Sequence, residues 1–255
     1  MKRFLLSALT LLGVVSAQAL DFEPEDGFSA QVTVGMNVSQ IRGMVYDLNP
    51  LSTGWVDPHA KVGLNLGING RFMLPEAHGT YLMFGVEWSQ KGGKSSGSVE
   101  VVNGEEELVY GSTHKFNMHY INIPVHVGFH YNFDRDWGVY GEFGPYFAVG
   151  VCGKNKVIVD SDGHAASSIE DALNYKVFKK STLYNALGGF QRFDCGLGFR
   201  VGGEYKGIYS LNMGFDWGLT DMLRDEYRDS YFDNEHRKCD KLKNFNMSLT
   251  FGYRF

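Results

Sequence analysis

From Lys243 to Phe255 apolar and polar residues alternate without a fault. Phe245, Met247, Leu249, Phe251, Tyr253 and Phe255 form one set, and Asn244, Asn246, Ser248, Thr250, Gly252 and Arg254 the other. Successive side chains of an extended strand point to opposite faces, so this segment reads as a strand with one apolar and one polar or small face. Seven more segments repeat the pattern. In the first, Phe28 to about Ser39, Ala30, Val32, Val34, Met36 and Val38 oppose Gln31, Thr33, Gly35 and Asn37. Others run over Lys61–Phe72, Tyr81–Trp88, Lys115–Phe133, Gly138–Gly150, Phe193–Glu204 and Tyr209–Thr220. Most are longer than the five or six residues of an average soluble strand, and they suit the about 9 to 11 that a tilted membrane-spanning strand needs.

A soluble sandwich alternates in the same way, so the connections have to decide between the two. Short links at Pro75–Gly79, Asp134–Trp137 and Tyr205–Gly207 alternate strictly with long ones at Gln40–His59, Lys91–His114, Val151–Gly189 and Asp221–Leu242. Tight turns then collect at one end and long loops at the other, as in transmembrane barrels. Aromatic residues gather toward the segment ends, with Phe251, Tyr253 and Phe255 on the turn side and Trp88 and Trp217 on the loop side. The expectation is an all-β fold: an eight-stranded antiparallel transmembrane up-and-down β-barrel with four long extracellular loops and short periplasmic turns. Its even strand count lets the sheet close, which hydrocarbon requires of any sheet edge.

The N-terminus departs from this pattern. Met1-Lys2-Arg3 precedes an apolar run from Phe4 to Ser16 and then Ala17-Gln18-Ala19, the marks of a signal peptide over residues 1–19. The mature barrel domain then occupies residues 20–255 of the outer membrane. Leu20 stands where a lipoprotein would carry cysteine. The residues before Phe28 form a short acidic lead, which leaves no place for a periplasmic peptidoglycan-binding module. Composition adds exclusions: 24 Lys and Arg against 29 Asp and Glu, with no basic block, disfavour nucleic acid as a partner. Cys152, Cys195 and Cys239 are too scattered for a zinc site. Cys152 and Cys239 fall on the same side of the membrane, so both a bridge between them and three free thiols remain open.

The polar face collects Lys61, Arg71, Glu87, His126, His130, Glu142, Asp194, Arg200, Glu204, Asp216 and Arg254. Eight strands enclose an interior that side chains fill, so a mutually neutralising network is favoured over a proton path, a ligand cavity or a porin channel. His126 and His130 share a face but lie about 13 Å apart along an extended strand, too far for one metal. Pro124 and Pro145 are both taken as inward-facing, and a bulge is expected at each because neither can donate to a ladder.

The fourth-segment run YINIPVHVGF, the following GPYFAVG, FDCGLGFRVGGEYKG and the terminal aromatic together resemble the PorT-like outer-membrane barrels of Bacteroidetes-type bacteria. That resemblance implies an eight-stranded barrel and allows a role in type IX secretion without fixing one. The closing FGYRF is similar to the aromatic C-terminal signal read by the barrel-insertion machinery, carried here by Phe251, Tyr253 and Phe255. The other expected partners are outer-membrane lipid and lipopolysaccharide, together with an envelope protein whose identity the residues do not give. No cofactor, metal site or catalytic residue is assigned.

A non-enzymatic surface or envelope-assembly role is the first reading. The alternative is a loop-based lipid-modifying enzyme or protease, for which the loops supply His164 among Ser161, Asp162, Ser167 and Ser168, and His236 among Asp233, Glu235 and Asp240. No spacing among them marks a nucleophile, base and orienter. The Asp221–Lys241 loop carries both charges densely. It reads either as a solvated extension or as a contact for lipopolysaccharide, divalent cations or a protein.

Overall fold

The computed structural model describes residues 27–43, 56–74, 77–103, 106–160, 174–179, 189–225 and 241–255. Its strands are β1 (Phe28–Arg42), β2 (Val56–His59), β3 (Lys61–Met73), β4 (Thr80–Asn103), β5 (Glu106–Asn132), β6 (Trp137–Asp160), β7 (Tyr175–Lys176), β8 (Phe193–Tyr205), β9 (Tyr209–Gly218) and β10 (Lys243–Arg254). All but β2 and β7 form the barrel wall. Each wall strand pairs antiparallel with the next, and β10 returns to β1 from Gln31↔Arg254 to Arg42↔Lys243, closing an eight-stranded barrel.

The register fixes the tilt. Phe28 faces Phe72, which faces Leu82, and the row continues through Val127, Phe143, Phe199, Phe215 and Met247 back to β1 at Val38. One circuit therefore climbs from Phe28 to Val38 along the same strand, the stagger that inclines the strands of a closed barrel by about 40°. Every residue of that row is apolar. It belongs to an exposed belt that includes Ile68 at 62% and Val127 at 55% accessibility. The opposite face of each strand is buried and polar, with Asn37, Asn69, Arg71, Glu87, His126, Glu142 and Glu204 under 9% exposed. A continuous apolar belt around a polar interior inverts the soluble arrangement and suits a hydrocarbon surround.

The tight turns are built by local chemistry. Lys206 and Gly207 both hold positive φ, 54° and 66°, and the Ile208 amide donates to the Tyr205 carbonyl, a geometry that matches the right-handed twist of the flanking strands. Around the same end Trp137 stacks obliquely on Tyr205 at 4.8 Å, and Tyr209 lies 5.7 Å from Tyr253. At the other end Trp88 stacks on His119 at 5.4 Å and Trp217 meets Phe245 at 5.9 Å. Two aromatic girdles bound the belt, as the sequence pattern predicts.

Four expectations need correction. The Lys91–His114 connection is not a loop for most of its length, because β4 and β5 stay paired through it as far as Asn103↔Glu106. Likewise β6 continues past Val151 to Asp160. The Ser-Ser-Gly-Ser run at 95–98 breaks the alternation that marks the wall strands, so the sequence does not announce the continued pairing. Pro124 and Pro145 raise no bulge: register is unchanged on both sides of each, and only the ladder pairs facing the missing N–H drop out, at Gly85–Val86 for Pro124 and Val125–His126 for Pro145. Pro145 also faces outward, exposed, whereas Pro124 is buried. The register shift between β5 and β6 falls instead at Val151, between the His119↔Cys152 and Tyr120↔Gly150 pairs.

Candidate functional site

Inside the barrel, side chains from strands that are not paired reach across the lumen to neutralise one another. Glu204 on β8 is the hub at the turn end. It receives Arg71 of β3 at 2.8 Å, both terminal nitrogens of Arg254 on β10, and His130 of β5 at 3.0 Å. One layer up, Glu142 accepts a hydrogen bond from the Tyr81 hydroxyl at 2.8 Å and faces His126 at 3.7 Å, while the Arg71 guanidinium lies over the Tyr81 ring at 4.1 Å. Gly128 makes that possible: a Cβ there would sit 2.2 Å from the Tyr81 ring. Arg200 then grips Glu87 with two parallel bonds of 2.8 Å, the strong fork geometry of guanidinium and carboxylate.

Toward the loop end Asp194 accepts from Thr220, Asn244 and Tyr146. Asp216 bonds Asn246 at 3.1 Å and lies 3.9 Å from the ammonium of Lys91. The void lined by Arg71, Glu142, Arg200 and Arg254 measures about 20 Å³, room for one water. Among the described residues the interior is therefore a packed, charge-paired plug of side chains.

Above the plug the chemistry reverses. Phe116, Met118, Tyr120, Tyr146 and Ala148 of β5 and β6 pack with Val177, Phe178 and Phe190 from one connection and Met222, Leu223 and Leu242 from another, all buried. Phe116 stacks on Phe190 at 5.7 Å, and Tyr120 meets Phe178 edge-on at 5.8 Å. Backbone bonds from Val177 to Gly153 and from Met222 to Leu242 pin these connections across the mouth. A hydrophobic cap closes the loop end of the barrel.

Of the charged residues expected inside, all but Lys61 join this interior. The β3–β4 ladder ends at Asn65↔Ser89, and beyond that point Lys61 reaches Asn117 of β5 at 2.5 Å. Lys91, which the sequence reading assigns to a loop, is fully buried, with its ammonium over the Tyr146 ring at 4.7 Å. Continued alternation through Glu87, Ser89 and Lys91 is the signal that places it. His126 and His130 attend different carboxylates and are not brought together on one partner. Among the described residues no group of three His, Cys, Asp or Glu is arranged to hold a metal ion. Cys152 and Cys195 carry free thiols, and Cys239 lies outside the described residues, as do His164, His236 and their neighbours. At the loop-end rim a cleft of about 570 Å³ opens on the outer surface between β6 and the segment containing β7.

A family model described as outer membrane protein beta-barrel domain matches residues 16–224. No curated protein sequence matches the chain. Among solved structures the chain is similar to the attachment invasion locus protein Ail of Yersinia pestis, at 14% identity and TM-score 0.36 over 91% of this chain and 100% of that one. It is similar to Neisserial surface protein A, at 10% identity and TM-score 0.41 over 90% and 100%. It is also similar to OprG of Pseudomonas aeruginosa, at 12% identity and TM-score 0.41 over 91% and 98%.

Proposed function

The chain belongs to the outer membrane protein beta-barrel domain family, and from that premise we propose that it is a non-enzymatic surface protein whose work is done at its long-loop end, facing outward from the cell. The observation that carries this reading is the pairing of a filled interior with an elaborated loop end. A void of about 20 Å³ passes no solute, while the β4–β5–β6 extension and the hydrophobic cap offer ordered surface beyond the apolar belt. Export behind residues 1–19, with the mature chain starting at Leu20, completes the proposal. Residues Phe251, Tyr253 and Phe255, exposed on the outer face of the turn end, serve insertion. Lipid and lipopolysaccharide are its surroundings, and a further envelope protein is its partner. The PorT-like resemblance supports an assembly role, with type IX secretion as the specific form.

An epitope inserted between Asn103 and Glu106 tests the orientation: antibody should bind intact cells, and binding only after lysis would sink the reading. Edman sequencing of the envelope-extracted protein should start at Leu20. Purified protein in planar bilayers should show no stable conductance. Deletion that leaves secretion of outer-membrane cargo intact removes the type IX role while leaving the surface role standing.

A further inference from the structure

The outer face of the loop-end rim carries an arrangement that the fold by itself disfavours. Lys94, Lys115 and Lys156 are directly opposite one another across β4, β5 and β6, and paired residues of an antiparallel sheet share a face. One step nearer the belt, Lys154 stands opposite Lys176 of β7. Like charges directly opposite on a sheet repel. Among the described residues none of these five lysines is held in an ion pair with a carboxylate. Lys61 lies just below, within reach of the Lys94 charge, and His119 within reach of Lys61. Burial is the main cause lowering the proton affinity of each, with Lys94 adding to the effect on Lys61 and Lys61 to that on His119.

The cationic rows border the cleft of about 570 Å³, whose walls include Lys154, Lys176, Lys179 and Arg192 together with apolar Val151 and Phe178. A second hollow of about 360 Å³, lined by Lys154, Lys156 and Lys176, continues upward from it. Arg192 is already engaged, donating to the Gly150 and Val151 carbonyls at 2.7 and 2.9 Å where the bulge has broken the ladder. That bond shapes the cleft floor and leaves the lysines to face a ligand. Val149 and Val151 are exposed members of the apolar belt, and Lys154 follows Val151 by three residues, about 10 Å along a strand. A basic cleft with an apolar floor, set at the edge of the hydrocarbon, has the chemistry of a phosphate on a lipid.

We propose that this rim is a binding site for a phosphate-bearing lipid headgroup of the surrounding leaflet, with Lys94, Lys115, Lys154, Lys156 and Lys176 holding the phosphate and the exposed Val149 and Val151 bordering the first acyl carbons. A free anion satisfies the lysines but not the apolar floor, which is why the site is assigned to lipid. The assignment rests on the loop end facing the outer leaflet, which the epitope experiment decides independently.

The test uses the full-length protein refolded in detergent, with bis-phosphorylated lipid A as probe and its phosphate-free counterpart as control. Retention is read by native mass spectrometry. Protection is read as the alkylation rate of Cys152, which is exposed at the same cleft, in a Cys195→Ser, Cys239→Ser background. The expected result is phosphate-dependent retention, slowed Cys152 alkylation, and at least a tenfold loss of retention in Lys115→Gln/Lys154→Gln/Lys156→Gln that still shows the heat-dependent gel shift of a folded barrel. Should that variant not fold, the unaltered protein still decides: raising salt from about 0.05 to 0.5 M, which shortens the screening length severalfold, should release the lipid. Retention that is indifferent to phosphate or to salt overturns the proposal. So does displacement by inorganic phosphate at the same concentration as lipid A, which would make this a site for free anions.

Discussion

The barrel interior and the cap above it are both closed to water, yet they are held by opposite chemistry. In the interior buried charges are held by opposite charges or by polar groups, as Glu204 is by Arg71 and Arg254 and Asp194 is by Thr220, Asn244 and Tyr146. In the cap the contacts are rings and aliphatic chains such as Phe116, Phe178 and Leu223. Their surroundings account for the difference. In the belt the apolar residues are drawn outward, which leaves polar residues for the inside, where desolvated charge is tolerable only if paired. Above the belt water returns on the outer face, and burying apolar surface inside becomes favourable again. A polar plug is directional and fails sharply when one partner goes, whereas an apolar cap loses strength in proportion to what is removed.

The largest expected break of this contrast is Glu204→Gln. It leaves the Arg71 and Arg254 charges buried without their carboxylate, and should cost roughly 3 to 5 kcal/mol. Urea unfolding of the refolded barrel followed by tryptophan fluorescence would read this directly. Next, Phe178→Ala should cost about 3 kcal/mol by emptying a ring-sized space, but within the cap alone. Hydrogen exchange at the Val177, Phe190 and Met222 amides should accelerate while the gel shift of the barrel stays unchanged. If the barrel unfolds at lower urea as well, the two regions are one cooperative unit.

His114 of the β5 extension sharpens the comparison through pH. Burial holds its imidazole down at about 4, against 6.5 when exposed, and its Nδ1 lies 3.1 Å from the Asn155 amide nitrogen. The unfolded segment therefore binds the proton more readily, so stability is full above 6.5 and is lost as pH falls toward 4. At pH 5 the loss should be about 2 kcal/mol, seen as faster exchange along β5 and β6 above Tyr120 and not in the belt. The smallest effect is expected of Arg192→Ala. Freeing the Gly150 and Val151 carbonyls to find water at the rim should cost about 1 kcal/mol, visible as faster exchange at Gly150 alone, whose amide bonds the Arg192 carbonyl.

The wall strands were legible because their two faces meet different solvents. Val32, Val34, Met36 and Val38 announce lipid, and the residues between them announce the lumen. The extension was not legible, since the Ser-Ser-Gly-Ser run at 95–98 interrupts the alternation that marks the wall strands, although β4 and β5 stay paired through it. Lys91 was hidden for a different reason: the apolar face ends at Trp88, while Ser89 and Lys91 continue the inward row alone. The prolines misled because a missing donor suggests a displaced strand. Here a single absent bond was absorbed while Gly144 let β5 and β6 approach, a Cβ there falling 2.2 Å from the Val125 carbonyl oxygen.

By itself the sequence determined the closed eight-stranded wall, its inside and outside, and which end carries the long connections, because period-two alternation and connection length are local properties of the chain. Only the tertiary structure decided which charges meet, that the mouth is sealed by an apolar cap, and that three lysines from three strands stand in one row. Each of those depends on register and on contacts between distant segments, and no local period in the chain encodes how far one strand slides against the next.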